Sequence, residues 1–296
     1  MDTQPNRILV TDGKNNWFEK EYQTPDLKTT DILVKSIYTG VCRSDIDMSQ
    51  GRFQLLPESM SGHEGLGLVL NVGENVKDVK QGDYVATRGE PAYADYYIAK
   101  QMEYVVVPEA HPRYILEPVA CGINVVTQNR EALDRKDGGR LAILGSGFLA
   151  QVAYRTLELK GYNYDIDVVG NHNRELWPNL KQELSGEYDV IIDLSSRTDY
   201  FNNAANNALI ILATDKVLNS SIGPLLWRAC TISFPSPRTP NFYNAMIMAR
   251  DWIESGQLNV DNFWTQAYNR NTQWQQAFED AAQRKPGYSR GYISWR

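Results

Sequence analysis

Two short motifs in the first part of the chain bring together a thiol, an imidazole and carboxylates. The first is Gly40-Val-Cys-Arg-Ser-Asp45 and the second is Met60-Ser-Gly-His-Glu-Gly65, in a chain with only three cysteines and three histidines. Thiolate, imidazole and carboxylate are the ligands that zinc takes in proteins, and a catalytic zinc site keeps one position open for water or substrate. Cys42, His63 and Glu64 therefore form a candidate catalytic zinc set.

Neighbouring acidic residues favour a metal site over a purely structural role. A lone cysteine or histidine is more often a buried packing residue or a satisfied core imidazole than a ligand. Asp45 can orient the histidine from behind, and Glu117, just before Pro118 at a predicted helix start, is another carboxylate that can bind the metal or cap the helix. Cys121, one helical turn further on, could supply a thiolate instead of Glu117. We favour Glu117, since a buried cysteine is usually inert.

A glycine-rich turn in the middle of the chain has the G-x-G-x-x-A spacing of a dinucleotide-binding site. It consists of Gly145, Gly147 and Ala150, with Phe148 and Leu149 between the last two. The first glycine permits a tight turn, the second lets a pyrophosphate approach the backbone, and the small alanine lets the helix pack closely on the strand. An apolar strand precedes the turn and an amphipathic helix follows it, which is the context that the motif requires. We therefore predict cofactor binding here rather than a merely structural turn.

The end of the next predicted strand carries hydrogen-bond donors where an NAD-binding protein usually carries a carboxylate. The strand DIDVV is followed by Gly170, Asn171, His172 and, after another asparagine, Arg174. A carboxylate at the strand end binds the ribose hydroxyls of NAD, whereas donors suit the 2′-phosphate of NADP. The sequence thus favours NADP. The alternative is an ordinary polar loop with NAD as cofactor, and Asp167 would support it if the strand ended earlier.

The elements that hold these motifs fall into two groups. Over the first hundred residues, short β-rich runs alternate with turn signals, which predicts a mostly antiparallel, barrel-like domain. The runs are RILVTDG, DILVKSIYTG, GLGLVLNVG, GDYVATRG, ADYYIAK and EYVVVP. From about Leu116, a helical stretch leads to a βαβ unit that contains the glycine-rich turn, which indicates a doubly wound parallel sheet.

Further elements extend both groups. YDVIIDLSS and ALIILATD predict two more buried parallel strands, joined by a helical TDYFNNAANN, and CTISFP predicts an edge strand. Beyond Gln257, a helix at 272–284 and a final strand YISW return to the first domain.

Composition and charge restrict the classes of partner. The 296 residues are 42% hydrophobic and 11% aromatic, which is enough for a substantial core. The net charge is −6 with both signs scattered, so no basic stripe suggests nucleic acid and no cationic cluster suggests a membrane surface. Three distant cysteines do not make a disulfide framework. With no signal-peptide pattern at the first residues and no apolar run of about 18 residues, we expect a cytoplasmic protein.

The motifs resemble those of the medium-chain dehydrogenase/reductase superfamily, in its zinc-dependent alcohol and polyol dehydrogenase branch. The two segments typical of that branch are similar to GVCRSD and SGHEGLGLVLNVGENVKDVKQGDYV. The resemblance continues, with gaps, through LEPVACGINVV, GSGFLA and KPGYSRGYISW. It implies a Rossmann-type parallel domain at 124–257 and a mostly antiparallel, GroES-like catalytic domain formed by 1–123 and 258–296.

The resemblance also implies a role for each matching residue. Cys42 and His63 match zinc ligands, and Glu64 matches a carboxylate that coordinates the metal or exchanges with its bound water. Glu117 matches the third protein ligand of the members that use an acid there instead of a cysteine. These residues are expected to hold one zinc ion per chain.

Proton transfer and cofactor binding follow from the same resemblance. Ser44 matches the hydroxyl that takes the proton from the alcohol, and Asp45 matches the carboxylate behind the histidine. Arg43 and Arg290 match positions that reach the cofactor pyrophosphate. A homo-oligomer, either a dimer or a tetramer, is also implied.

Three features depart from the pattern of the branch. The lobe with four cysteines for a structural zinc is absent, because YVATRGE runs almost directly into PAYADYYIAK. Asp47 replaces the histidine that commonly ends the proton relay. Between Gly170 and Tyr188 the usual strand and helix of the branch are compressed into a short segment, so we expect the sheet to lack one strand. This shortening puts the completeness of the adenosine pocket and the choice of cofactor in question.

The sequence is thus interpreted as a zinc-dependent alcohol dehydrogenase of reduced size that uses NADP or NAD. The expected substrate is a small alcohol, aldehyde or polyol, and Arg52, Arg88 and Glu90 hint at a polar one, although charges in solvated loops explain them as well. One alternative is a zinc-free reductase or a dehydrogenase of a larger substrate. Another is a cofactor-binding member of the fold without turnover.

Overall fold

A computed structural model describes residues 5–55, 57, 61–195, 197, 199–214 and 221–296 of the chain. It divides into two compact units, one reaching to Pro118 and including Met246–Arg296, the other spanning Val119–Ala245. The predicted boundaries at 124 and 257 lie later in the sequence. Between the observed and the predicted second boundary, the Arg250 side chain donates a hydrogen bond to the Val106 carbonyl at 3.4 Å, so Arg250 is held within the first unit.

The described residues form the following strands and helices in chain order. The strands are β1 (Arg7–Thr11), β2 (Trp17–Glu21), β3 (Ile32–Gly40), β4 (Gly65–Val72), β5 (Tyr84–Thr87), β6 (Tyr96–Ala99), β7 (Tyr104–Val107), β8 (Arg140–Leu144), β9 (Asp165–Val169), β10 (Tyr188–Asp193), β11 (Ala204–Leu212), β12 (Thr231–Ser233), β13 (Trp264–Asn269) and β14 (Arg290–Ser294). The helices are α1 (Arg43–Ser49), α2 (Glu117–Thr127), α3 (Arg130–Asp134), α4 (Phe148–Leu159), α5 (Gly223–Trp227), α6 (Phe242–Glu254) and α7 (Trp274–Gln283).

The first unit is built around a mostly antiparallel sheet. Its strands follow the order β13-β14-β3-β4-β5-β7, with β6 also paired to β3. Only β13 and β14 run parallel to each other in this sheet. Ile32 and Val34 on β3 are fully buried, as the alternation of its apolar residues predicts. The barrel-like antiparallel domain and the return of the last helix and strand to it are confirmed, whereas β2 was not predicted.

The second unit contains a parallel sheet of five strands in the order β12-β11-β10-β8-β9. Leu141–Leu144 on β8 are completely buried, as expected for strands covered on both faces. Strand β8, helix α4 and strand β9 form the predicted βαβ unit, and β12 is the predicted edge strand. The Rossmann-type parallel domain is therefore confirmed.

The outer side of β9 is covered by a loop where a doubly wound fold places another strand. In the part of the chain that the structure describes, this side pairs only through an isolated parallel bridge between Val169 and Lys181. Backbone bonds from Gly170 to the Lys181 carbonyl and from Lys181 to the Val168 carbonyl, both 2.9 Å, make that bridge. The expected loss of one strand is confirmed, because the described connection from β9 to β10 contains a 3₁₀ turn at Arg174–Leu176 and this bridge, but no strand.

The connection between β10 and β11 corrects one prediction. A helix was expected over TDYFNNAANN, but the described residues contain a single 3₁₀ turn at Phe201–Asn203, and Ala204 already begins β11. Tyr200 and Phe201 are 0% and 3% exposed, so burial of these two rings holds the turn against the sheet and leaves no length for a helix. Thr198 and Ser196, which belonged to the predicted elements, lie outside the described residues.

The Asp167 carboxylate on strand β9 binds side chains of neighbouring segments, and a first prediction follows from these contacts. It accepts hydrogen bonds from Tyr188 at 2.8 Å and from Arg140 at 3.1 Å, and it lies 2.6 Å from the Lys181 ammonium. Burial opposes ionisation, but these donors lower the pKa of Asp167 below its usual value. A depressed pKa contributes stability above about pH 4, and that stability is lost as pH falls through the folded-state pKa.

We expect Asp167→Asn to lower the free energy of unfolding by roughly 1–3 kcal/mol at neutral pH, because hydrogen bonds to a charged group are lost. The difference from the wild type should shrink as pH falls below about 4 and through the lower folded-state pKa, where the native carboxylate takes up a proton. Denaturant unfolding at pH 7 and at about pH 3 measures both values. Asp165→Asn on the same strand, at a side chain that is 75% exposed, is the control and should change stability by less than about 0.5 kcal/mol. Equal effects of the two variants at pH 7 would contradict this account.

Candidate active site

The candidate zinc ligands lie at one end of the β3–β4 pair. Thr39 near the end of β3 pairs with Gly65 at the start of β4, and the Gly40 amide donates to the Glu64 carbonyl at 2.9 Å. Cys42 follows the end of β3, and His63 and Glu64 precede the start of β4. Because these two strand ends are paired, the three residues lie at the same end of the sheet. A Cβ on Gly40 would clash with the Glu64 carboxylate, so a larger residue at this position would displace that side chain.

Ligand atoms of Cys42, His63 and Glu64 all lie within 4.8 Å of one another. Glu64 is fully buried, and the His63 side chain is 21% exposed. Burial and the Glu64 carboxylate raise the pKa of the Cys42 thiol. A divalent cation would offset the repulsion between thiolate and carboxylate, and a thiol, an imidazole and a carboxylate are a donor set suited to zinc. The residues that the structure brings together thus fit the expected metal.

Asp45 hydrogen-bonds to Cys42 and lies beside His63. It is 1% exposed, and its Oδ2 atom accepts hydrogen bonds from the Cys42 amide at 3.0 Å and from the Tyr93 hydroxyl at 2.7 Å. Its Oδ1 atom lies 3.7 Å from His63 Nδ1. Burial opposes protonation of His63, but the charges of Asp45 and Cys42 together raise the pKa of His63 well above its ordinary value. The predicted role of Asp45 behind the histidine agrees with this geometry.

Tyr93 is a residue of the site that the sequence did not reveal. Its hydroxyl reaches Asp45 across 48 positions of sequence, and no local motif marks such a pair. A further tyrosine in PAYADYYIAK was equally eligible by sequence, so only the packing distinguishes Tyr93.

Glu64 has a second partner in Arg290. One nitrogen of the Arg290 guanidinium contacts both carboxylate oxygens, and the Arg290 side chain is 13% exposed and stacks 5.1 Å from the Trp264 ring centre. Burial opposes the charge of the guanidinium, but Glu64 raises the pKa of Arg290 above its usual value. Arg290 is thus held beside the candidate metal ligands, and its predicted contact with a cofactor pyrophosphate stays a prediction.

Glu117 and Cys121 lie on helix α2. The helix begins at Glu117 itself and not at Pro118, so Glu117 belongs to its first turn instead of preceding it. Glu117 is 2% exposed and lies outside the group of ligand atoms within 4.8 Å, but its charge helps to raise the pKa values of His63 and Arg290. Cys121 is partly buried one turn further along. The choice between the two as a metal ligand stays a prediction.

The first turn of α1 carries the predicted proton-transfer residues. Ser44 is partly exposed, beside Cys42 in sequence. Asp47, at the position of the usual relay histidine, accepts from the Nε atoms of Arg43 and Arg52, each at 3.0 Å. Arg43 and Arg52 are thus both paired with Asp47. The presence of Arg52 therefore does not require a charged substrate. Arg88 is likewise paired with Glu103 at 3.2 Å.

The glycine-rich turn between β8 and α4 has the conformation that its motif predicts. Gly145 has a φ of +115°, which is accessible to glycine and strained for other residues. Gly147 precedes α4, which begins at Phe148, so the amides of the first helical turn are directed towards the position of a bound phosphate. Ala150 is 1% exposed, as expected for close packing of the helix on the strand.

The loop after β9 is fixed to this turn through Ser146. The Ser146 hydroxyl donates to the His172 carbonyl at 2.7 Å. The Ser146 backbone carbonyl accepts hydrogen bonds from the side chains of Asn173 and Trp177, each at 3.0 Å. A Cβ on Gly170 would lie 2.5 Å from Ser146 Oγ, so glycine is needed for this contact.

The predicted cofactor donors after β9 lie in this loop. Asn171, His172 and Arg174 all have exposed side chains. Asp167 lies two residues before the end of β9, and its carboxylate is bound by Lys181, Tyr188 and Arg140. It is therefore not available as the strand-end carboxylate of an NAD site.

Comparisons with known proteins agree with the fold. The alcohol dehydrogenase GroES-like domain family matches residues 28–117. An alcohol dehydrogenase of Moraxella sp. (strain TAE123) is 26% identical over 50% of this chain and 54% of its own length, so this match spans about half of that relative. D-arabitol-phosphate dehydrogenase of Enterococcus avium is 24% identical over 88% of this chain and 89% of its own.

A solved structure of an alcohol dehydrogenase from E. coli CFT073, complexed with the cofactor NADH, has the same fold. It superposes with a TM-score of 0.78, covering 99% of this chain and 100% of its own, at 14% identity.

Among the described residues, no helix has the length and apolar character needed to cross a membrane. The GroES-like domain match, the parallel cofactor-type sheet and the dehydrogenase relatives agree with the resemblance of the chain to the medium-chain dehydrogenase/reductase superfamily of oxidoreductases, in its alcohol and polyol dehydrogenase branch.

Proposed function

We propose that the chain is a zinc-dependent dehydrogenase that transfers a hydride between an alcohol or carbonyl substrate and a nicotinamide cofactor. The observation that carries this proposal is the convergence of the Cys42, His63 and Glu64 ligand atoms within 4.8 Å at one end of the β3–β4 pair. A binding fold without chemistry has no need of a thiol, an imidazole and a carboxylate in one partly accessible cluster.

Cys42, His63 and Glu64, with Glu117 as the further ligand, would hold a single zinc ion. When bound, zinc would supply a Lewis acid that polarises the substrate oxygen and lowers its pKa. The Asp45 carboxylate, with Oδ1 3.7 Å from His63 Nδ1, would help to orient the His63 ring. Arg290 holds the Glu64 carboxylate, so the orientation of this ligand is fixed by the protein.

Proton transfer is assigned to Ser44. Its hydroxyl can accept a proton from the substrate alcohol and donate its own to the next acceptor. Asp47 follows on the same helix, but its carboxylate is held between Arg43 and Arg52. We infer that proton release passes from Ser44 to solvent without the relay histidine of the branch. The nicotinamide ring would supply the hydride acceptor or donor.

The glycine-rich turn and the loop after β9 would bind the cofactor. Gly145, Gly147, Phe148, Leu149 and Ala150 would form the pyrophosphate site. An open recess of about 340 Å³ adjoins Arg174 and is also lined by Trp177, Pro178, Leu180 and Gln182. Because Asp167 is already bound and the exposed donors Asn171, His172 and Arg174 follow the strand, we infer that NADP is preferred over NAD.

This preference predicts that NADPH binds more tightly than NADH. A charge-assisted contact to the 2′-phosphate is worth roughly 1.5–3 kcal/mol, or about ten- to a hundredfold in affinity. His172→Ala and Arg174→Ala should each reduce the difference in affinity between NADPH and NADH, as measured by titration of both reduced cofactors. Arg130→Ala removes an equal charge from a side chain that is 79% exposed on α3, and should leave the difference unchanged. If NADH is the tighter ligand of the wild type, the assignment of the 2′-phosphate site is wrong.

A turnover screen tests the activity itself. Purified protein loaded with zinc should reduce or oxidise a nicotinamide cofactor with at least one member of a panel of simple alcohols, polyols, hydroxy-amino acids and the corresponding carbonyl compounds. Cofactor binding with no turnover across the panel would instead support a cofactor-binding member of the fold.

We further propose that the protein is a cytoplasmic homo-oligomer, either a dimer or a tetramer. Size-exclusion chromatography with light scattering would measure the number of subunits.

A further inference from the structure

Tyr93 lies where its hydroxyl can influence the candidate metal site without contacting the metal. The residue is 0% exposed, and its hydroxyl lies 2.7 Å from Asp45 Oδ2 and 3.1 Å from the Gly40 carbonyl oxygen. The single hydroxyl proton is donated to the carboxylate, which is the closer and more strongly accepting partner. Burial raises the pKa of Tyr93 well above its usual value, so the hydroxyl keeps this proton at neutral pH.

The ring of Tyr93 is fixed on several sides. It packs edge-on against Trp17, with ring centres 6.0 Å apart, and against Phe278, with centres 5.4 Å apart. A Cβ on Gly62 would come within 2.6 Å of the ring, so the ring lies directly against the backbone that precedes His63. The Tyr93 amide donates to the Ser61 carbonyl at 3.1 Å in the same segment. The hydroxyl is therefore presented at a defined place and is not free to rotate away.

The two oxygens of Asp45 have different environments because of this arrangement. Oδ2 receives the Tyr93 hydroxyl and the Cys42 amide, at 2.7 and 3.0 Å. Oδ1 is buried, lies 3.7 Å from His63 Nδ1 and has no hydrogen-bond partner among the residues that the structure places. With two donors on one oxygen, the carboxylate cannot turn about its bond without losing both of them. Its other oxygen remains directed at the histidine.

We propose that Tyr93 is a positioning residue that fixes Asp45 against His63 and thereby tightens metal binding by the Cys42–His63–Glu64 cluster. This inference rests on the proposed function as a zinc enzyme. Partners that orient a ligating histidine commonly change metal affinity by about 10–100-fold when they are removed. Tyr93 does not contact the histidine itself but binds the carboxylate beside it. Among the residues that the structure describes, it supplies one of the two hydrogen bonds to that carboxylate.

The test is the zinc affinity of Tyr93→Phe, which removes the hydroxyl and keeps the packed ring. Competition with a chromophoric chelator should show a zinc dissociation constant raised by about tenfold relative to the wild type. The cobalt-substituted protein should show a shifted ligand-field spectrum, because the ligand orientation changes. Neither measurement depends on turnover.

Tyr268→Phe is the matched control. The Tyr268 hydroxyl donates to Asp280 at 2.8 Å, nearly the length of the Tyr93–Asp45 bond, and both tyrosines belong to one buried apolar cluster that also includes Phe278. Loss of a buried tyrosine–carboxylate bond should lower the denaturation midpoint in both variants. Only Tyr93→Phe should change zinc affinity and the cobalt spectrum.

A double variant tests whether Tyr93 acts through Asp45. In an Asp45→Asn background, adding Tyr93→Phe should weaken zinc binding by less than about twofold beyond Asp45→Asn alone, because the carboxylate that Tyr93 positions is gone. A full tenfold effect in that background would overturn the inference, and so would equal zinc affinities of Tyr93→Phe and Tyr268→Phe. Absence of zinc binding by the wild type would instead contradict the proposed function, so the two failures are distinguishable.

Discussion

Cys42→Ala and His63→Ala are each expected to remove the bound zinc and to reduce turnover by roughly a thousandfold or more. The estimate follows from the several kcal/mol of charge stabilisation that a catalytic metal supplies, at about 1.4 kcal/mol per factor of ten in rate. Both side chains belong to the cluster of ligand atoms within 4.8 Å, and loss of one donor leaves too few for tight binding.

The fold should tolerate these substitutions. The Cys42 backbone amide, which donates to Asp45, is retained in Cys42→Ala, so the start of α1 keeps its hydrogen bond. The core of the first unit is built from strand residues such as Ile32, Val34 and Val85, each 0% exposed, and does not contain the ligands. Circular dichroism and the denaturation midpoint should therefore stay near the wild-type values.

Cys230→Ala is the control for loss of a thiol. Cys230 is a partly buried cysteine of the second unit whose Sγ contacts the Ala205 carbonyl oxygen at 3.6 Å. Its replacement should leave zinc content and turnover unchanged. Undiminished turnover by Cys42→Ala, with the fold intact, would show that the chemistry does not use this cluster.

The second large effect is expected for Glu117→Ala. As a metal ligand, Glu117 should be needed for tight zinc binding, so the variant should lose zinc affinity and turnover by orders of magnitude. As a residue of the first helical turn alone, its loss should cost only about 1 kcal/mol of stability. Its burial, at 2% exposed, and its effect on the pKa of His63 place its charge near the cluster.

Cys121→Ala distinguishes Glu117 from the competing thiol on the same helix. We expect this variant to retain about one zinc per chain, because Cys121 is partly buried and a buried cysteine usually serves packing. Zinc stoichiometry and turnover should be measured for both variants together with unfolding. If Cys121→Ala loses the metal and Glu117→Ala keeps it, the ligand assignment must be exchanged.

The parts of the fold and the site that the sequence predicts are those in which neighbouring residues determine the structure. The strand, turn and helix around Gly145 follow from local periodicity and from the conformational freedom of glycine, so the motif and its context were predicted together. Cys42 and His63 were predicted as partners because their residue types are rare in this chain and suited to one metal.

The features that escaped prediction depend on tertiary contacts. The stretch around Tyr200 and Phe201 has polar residues at helical spacing, but burial of the two rings against the sheet determines its conformation. The Tyr93–Asp45 bond and the Glu64–Arg290 pair join residues 48 and 226 positions apart, and nothing local distinguishes those side chains from their neighbours. Such contacts arise only after the β3–β4 pair and the closing strand β14 have assembled.

The most direct test of a zinc-dependent dehydrogenase is the recovery of turnover when zinc is returned to metal-free protein. The chain should be stripped with a chelator, and zinc should be added in measured amounts while cofactor turnover is followed with a substrate from the panel. Turnover should be lost on removal, rise in proportion to added zinc, and reach its maximum at about one zinc per chain. Full turnover by the stripped protein, with elemental analysis showing no metal, would contradict the account.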